Sequence, residues 1–182
     1  GKNIDPETLS LEELGKFLID GIFKIPTLDK LHKIFPDVYL SLDMKSDSAC
    51  EKLIIWAQDK DLPRIVVGSF DSQRMQKFRH KYPEIRTALT QKEILIMKIF
   101  PWIFKINASL PQFAMVPSKI GPVRLVTQAF IANCHRRGIK VFVWVVNNIN
   151  EKNYLHLIGA DGIITDDYRR FTPQNLPHDL KS

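Results

Sequence analysis

The run VFVWVV at residues 141–146 constrains this chain more than any other stretch. Six consecutive β-branched or aromatic residues suit a strand buried on both faces, as strands of a parallel sheet are. The next twenty residues complete a unit. Asn147 to Asn150 mark the exit from the strand and the start of a helix, and residues 151–158 fit that helix. Gly159 supplies a left-handed stop. Residues 161–165 form a second short apolar strand, closed by Asp166 and Asp167. Two buried strands joined by a helix make a βαβ unit, and in α/β folds chemistry gathers where such strands end.

The same alternation runs back through the chain. Ser10-Leu-Glu-Glu13 is a capping box that opens a helix carrying Leu14, Phe17 and Leu18. Thr27 caps a second helix, with Leu28, Leu31 and Ile34 as its buried stripe and Pro36 at its end. Residues 38–45 form a strand in which Leu40, Leu42 and Met44 point one way and Ser41, Asp43 and Lys45 the other. Further helices are predicted at 46–60, 72–81 and 123–137, and strands at 64–68, 86–89 and 112–116. Roughly six strands alternating with helices argue for an α/β fold with a parallel sheet and right-handed crossovers. Pattern alone leaves open sheet and barrel both open. No GxGxxG or Walker-type loop supports a nucleotide-binding fold.

Composition narrows the function classes. A chain of 182 residues suits one domain with a real core, and 45% hydrophobic with 25% charged residues is ordinary for a globular protein. The net charge of +6 favours anionic substrates or membrane surfaces. No long basic block or nucleic-acid motif supports nucleic acid as a partner. Cys50 and Cys134 form no metal or redox spacing and are expected in helices as small apolar residues, which points to a reducing compartment. No secretory signal is visible, and a start at Gly1 fits a fragment or processed form. The most apolar stretch, Ile94 to Ile106, is broken by Lys98, Pro101 and Lys105 and falls short of the roughly 20 residues of a spanning helix. A cytoplasmic or membrane-associated location is expected.

Asp43 and Lys45 are the sharpest chemical pair. They share a strand face near its C-terminal end. There a carboxylate can hold a hard divalent cation and an ammonium can grip a phosphate. The same spacing fits an ion pair on a half-exposed strand. Ser69 and Asp71 follow the next strand and either bond ligand oxygens or cap the helix behind them. Trp144 suits core packing or a pocket wall, and Asn147 a ligand contact or a turn. Asp166 and Asp167 suit a metal or a helix start. His32, His80, His135, His156 and His178 lie away from predicted strand ends, so none is assigned to acid–base work.

Taken in order, these segments resemble the glycerophosphodiester phosphodiesterase family. The stretch LSLEEL…IPTLDKLHKIFPDVYLSLDMK is similar to the middle of that domain. There a helix opens after Pro-Thr-Leu, and a strand ending in Glu-x-Lys supplies a metal ligand and a phosphate-contacting lysine. Asp43 and Lys45 stand at those positions. VVGSFD matches a strand ending in Ser-Phe, and VFVWVVNN followed by GADGIITDD matches the last two strands, where the tryptophan lines the site. The resemblance implies a (β/α)₈ TIM-type barrel that hydrolyses glycerophosphodiesters, or lysophospholipids in some members, with Mg²⁺ or Ca²⁺ and two histidines as general acid and base. It implies Asp43 as metal ligand, and Lys45, Ser69, Trp144 and Asn147 as substrate contacts.

The same match carries two departures. The family's His-Arg-Gly strand, Glu-x-Asp pair and His-Asp motif find no counterpart here and are expected upstream of Gly1. The chain is then an incomplete barrel of about six of eight strands over residues 1–172, with an apolar insert near 93–122, a tail at 173–182 and no catalytic histidine. Asp43 also replaces the usual Glu and reaches one methylene less far. The alternative is a catalytically inactive module derived from the same barrel. Glycerophosphodiester or lysophospholipid is the expected ligand, with a membrane surface as a further partner through Ile94 to Ile106.

Overall fold

A computed structural model describes residues 5–19, 21–102 and 111–171 of the chain. Residues 103–106 of the apolar run, His178 and the tail at 173–182 lie outside the described residues. The chain packs as two compact units, Gly1–Leu40 and Ser41–Ser182.

In the first unit the capping box forms as its sequence dictates. Ser10 Oγ accepts from Glu13 N at 3.2 Å, and Ser10 N donates to Glu13 Oε2 at 2.8 Å. The helix it opens, α1 (Leu11–Leu14), is a single turn capped by Gly15. Phe17 and Leu18, expected on that helix, lie beyond it. β1 (Leu18–Ile19) pairs antiparallel with β2 (Phe23–Lys24), and Gly21 at φ 70° supplies the left-handed residue of the turn. Gly15 ends the helix before its apolar periodicity can be used. α2 (Leu28–Ile34) starts at Thr27, whose hydroxyl accepts from Lys30 N at 3.3 Å. Its predicted stripe is not buried: Leu28 and Leu31 are half-covered and Ile34 is exposed. So short a segment has too little surface to cover both a hairpin and a helix.

The second unit carries the alternating elements. β3 (Leu40–Asp43) leads to α3 (Asp47–Ala57), and β4 (Ile65–Gly68) to α4 (Ser72–Lys81). β5 (Arg86–Thr87) leads to α5 (Gln91–Ile99), which has its own capping box, Thr90 with Glu93. β6 (Phe113–Pro117) is followed by a hairpin of β7 (Lys119–Ile120) and β8 (Val123–Arg124), and then by α6 (Gln128–His135). β9 (Lys140–Trp144), α7 (Ile149–Leu157) and β10 (Gly162–Ile163) close the unit. The helix predicted over 123–137 begins five residues late. Gly121 at φ 57° and Pro122 form a tight turn that pairs residues 119–120 with 123–124, and Thr127 is the actual cap.

The principal strands form two three-stranded sheets, β3-β4-β5 and β6-β9-β10. The pairs β4–β5, β6–β9 and β9–β10 are all parallel. A single parallel bridge, Ala88 to Phe113, joins the sheets along β5 and β6. Gln112 N donates to Thr87 O at 3.0 Å, and Leu89 N to Phe113 O at 2.8 Å. The core lies on the helix side of the strands, where Val116, Val141 and Val143 are fully buried with Met97, Phe130 and Leu155. β9 is therefore not equally buried on both faces. Phe142 and Trp144 face the other side and are half-buried, with Phe113 and Phe142 in ring contact at 5.8 Å. An unbroken apolar run conceals this alternation, because both faces are apolar while one is helix-covered.

Candidate functional site

Strand parity brings the first group together. Met44, 2% exposed, points into the helix layer, so Asp43 and Lys45 point to the opposite face. Their side chains form an ion pair on that face, with Lys45 the more exposed. Met44 N donates to Gly68 O at 2.8 Å, which aligns the end of β3 with the end of β4. Phe70 follows β4 and lies under the Lys45 ammonium, 5.3 Å from Nζ to ring centroid. Trp144, the last residue of β9, packs its ring 6.1 Å from Phe70. Asp43, Lys45, Phe70 and Trp144 thus form one continuous run of contacts that joins the two sheets. A depression of about 350 Å³ beside it is lined by Asp43, Lys45, Phe70, Asp71, Arg74 and Gln91.

Beneath this run lies a polar frame. Ser69 is 4% exposed and its hydroxyl donates to Met44 O at 2.9 Å. Ser69 Oγ in turn accepts from Asp71 N and from Arg74 Nη1, both at 3.3 Å. Ser69 is therefore a brace under the strand ends, with its hydrogen-bonding capacity already used. Asp71 caps α4, accepting from Arg74 N at 2.8 Å. Arg74 also donates to Met44 O at 3.0 Å and pairs with Asp47 at 2.7 Å, a hydrogen bond that raises its pKa. Arg74 escaped the sequence reading. Its signal, an arginine three residues past a capping aspartate, is too common to stand out.

Asn147 stands past the end of β9 and laces the chain together. Its Nδ2 donates to Asp166 Oδ2 at 2.8 Å, while its Oδ1 accepts from Thr165 Oγ1 at 2.9 Å and Asp166 N at 3.1 Å. Asp167 pairs with Arg169 at 2.7 Å, and that hydrogen bond holds its carboxyl below the usual carboxylate range. Asp166 and Asp167 thus fasten chain segments to one another. The described histidines lie on helices, at His32 in α2, His80 in α4, His135 in α6 and His156 in α7. Among the described residues no group of three His, Cys, Asp or Glu side chains comes together as a metal site. Asp43 offers a carboxylate without such companions.

A larger depression, about 430 Å³, lies beside α4 and α5. Its Arg79 is committed to Glu93 at 2.6 and 3.1 Å, to Thr87 Oγ1 at 3.0 Å and to Ala88 O at 2.9 Å. That guanidinium clamps helix to helix and is not offered to a ligand.

Comparison with known proteins bears on the same elements. The chain is 26% identical over 170 residues to a probable glycerophosphodiester phosphodiesterase 2 of Mycobacterium tuberculosis, covering 88% of this chain and 63% of that protein. The crystal structure of a putative glycerophosphodiester phosphodiesterase from Galdieria sulphuraria superposes with a TM-score of 0.69 at 16% identity, over 86% of this chain and 66% of that one. The Thermotoga maritima glycerophosphodiester phosphodiesterase gives 0.62 at 19%, over 91% and 69%. These structures show a shared fold of the TIM-barrel type. The chain spans just under two thirds of the first two relatives. Residues 30–170, which hold every strand from β3 to β10, match the sequence model of the glycerophosphoryl diester phosphodiesterase family, and the chain belongs to that family.

Proposed function

We propose that this chain is the substrate-binding part of a phosphoric diester hydrolase acting on glycerophosphodiesters or lysophospholipids. The observation that carries the reading is the contact run from Asp43 through Lys45 and Phe70 to Trp144, at the ends of β3, β4 and β9. Lys45, exposed and cationic, is the group to meet a phosphate. Phe70 and Trp144 form an apolar wall for the carbon skeleton of the diester. Asn147 holds the wall's edge in register. In this reading the strand series β3-β4-β5-β6-β9-β10 is six of the eight strands of a barrel. No described histidine stands at these strand ends, and the reading assigns none of them as general acid or base.

Asp43 is proposed as one ligand of Mg²⁺ or Ca²⁺. Such an ion would neutralise phosphate charge and activate an oxygen nucleophile. The described residues do not complete its coordination shell. The second reading is an inactive binding module, favoured by the isolation of Asp43 from further His, Cys, Asp or Glu ligands among the described residues.

Titration of the chain with glycerol 3-phosphate, followed by calorimetry, tests the site. Lys45→Ala is expected to weaken binding by about tenfold, the worth of one charge-assisted contact. Equal affinity in the variant would remove Lys45 from the site. No turnover of glycerophosphocholine by these residues alone is expected, with or without Mg²⁺, and measured hydrolysis would overturn the partial-site reading. Membrane contact through Ile94 to Ile106 takes a narrower form, because within α5 Ile94 and Met97 are buried while Leu95 and Ile99 are exposed.

A further inference from the structure

We infer that the β7–β8 hairpin, together with the end of α5, is a contact surface for anionic lipid beside the strand ends that carry the site. The inference rests on the proposed lipid-derived diester substrate and assigns the membrane face from which it is taken.

The hairpin is amphipathic by construction. Ile120 and Val123 are cross-strand partners, so their side chains share one face, and Lys119 and Arg124 share the other. Ile120 is 58% exposed and Val123 63%. A Cβ built at Gly121 meets nothing within 4 Å, so the tip stands clear of the rest of the chain. The base, by contrast, is fastened. The Arg124 guanidinium lies 4.3 Å over the Tyr154 ring, and Lys98 Nζ donates to Leu125 O at 2.8 Å and Arg124 O at 3.3 Å. The Lys98 bonds bring the last turn of α5 to the hairpin. Past that turn, Phe100 and Trp102 meet edge to face at 5.6 Å, with Trp102 73% exposed.

An apolar tip and an exposed indole flanked by cations is the arrangement that inserts shallowly into an anionic lipid interface. The net charge of +6 adds long-range attraction. A second copy of the chain fits less well, since these few side chains fall short of the roughly 800 Å² that each partner buries in a stable protein interface. Position adds the final argument. Pro117, the last residue of β6, pairs with Trp144, and the hairpin begins two residues later. The surface therefore emerges beside the proposed substrate wall.

The test is co-sedimentation of the chain with vesicles, either pure phosphatidylcholine or with about a third phosphatidylserine. Binding to the phosphatidylserine vesicles is expected, with a blue shift of tryptophan emission. The double variant Ile120→Ser, Val123→Ser should lower partitioning by about tenfold. Lys119→Glu should weaken binding and flatten its salt dependence. Ile55→Ser, on the exposed face of α3, should change nothing. Binding that is absent from the parent, or equal in the double variant, overturns the inference. So does a parent dimer that the double variant converts to monomer without lipid. Glycerol 3-phosphate affinity, measured alongside, separates the two ideas. The hairpin variants should retain it and Lys45→Ala should lose it, so failure of one reading leaves the other measurable.

Discussion

Single residues in this chain act mainly through what they are bonded to. Ser69 and Asp71 flank Phe70 and are both consumed by structure, one bracing Met44 and the other capping α4, while Phe70 itself faces the site. The sequence leaves Ser69 and Asp71 open between ligand contact and helix cap, and the structure shows Asp71 as the cap and Ser69 bonded to Met44 O. Cys134 offers a sharper residue-scale test. It is fully buried in α6, and burial pushes its thiol up to about 12, against an ordinary value of 9.0. From about pH 9 the unfolded chain loses this proton while the folded chain keeps it. The unfolded state then binds fewer protons, and stability falls as pH rises. The loss runs at up to about 1.4 kcal/mol per pH unit and levels off near pH 12. Denaturant melts of the parent and of Cys134→Ala across this window should show the stability difference shrinking with pH. A constant difference would mean that the thiol ionises without regard to folding.

At the scale of elements, Arg79 is the chief clamp. From α4 it reaches the Thr87 hydroxyl in β5, the Ala88 carbonyl and the Glu93 carboxylate in α5, with side chains only 15% and 23% exposed. Glu93 also closes the capping box at Thr90 N, at 2.7 Å. Arg79→Met leaves a largely buried carboxylate unpaired and should cost about 2–4 kcal/mol in a urea melt, more than a typical surface pair. A cost under about 0.5 kcal/mol would show that the pair is screened like an exposed one. Most of these elements were legible in the chain because local chemistry fixes them. Asp71 caps α4 over the predicted residues 72–81, and Gly159 at φ 95° stops α7. The helix drawn through residues 123–124 failed because a Gly-Pro turn outweighs apolar periodicity. The buried stripe of α2 failed because burial depends on a neighbouring layer, which no local pattern reports.

For the second unit as a whole, the parallel pairing of strands and the shared face of Asp43 and Lys45 followed from alternation and parity, while the division into two three-stranded sheets did not. The alignment of Phe70 with Trp144 did not, because it depends on how one three-stranded sheet meets the other. Among the described residues the edge where β5 meets β6 is narrow: the strand bridge at Ala88 and Phe113, the backbone bonds Gln112 N to Thr87 O and Leu89 N to Phe113 O, and a side-chain bond from Thr87 N to Gln112 Oε1 at 3.1 Å. Asp43, Lys45 and Phe70 stand on one side of the seam, and Trp144 and Asn147 on the other. Anything that lies against both Lys45 and Trp144 spans the seam like a suture. Glycerol 3-phosphate should therefore slow hydrogen exchange at the amides of Leu89 and Gln112, which it never touches, more than at Val143 in the middle of β9. Uniform slowing across these amides would mean that the seam is already as tight as the sheets it joins. If the seam does breathe, the ligand finishes the architecture as well as occupying it, and the empty protein spends part of its time as two half-sheets with half a binding site each.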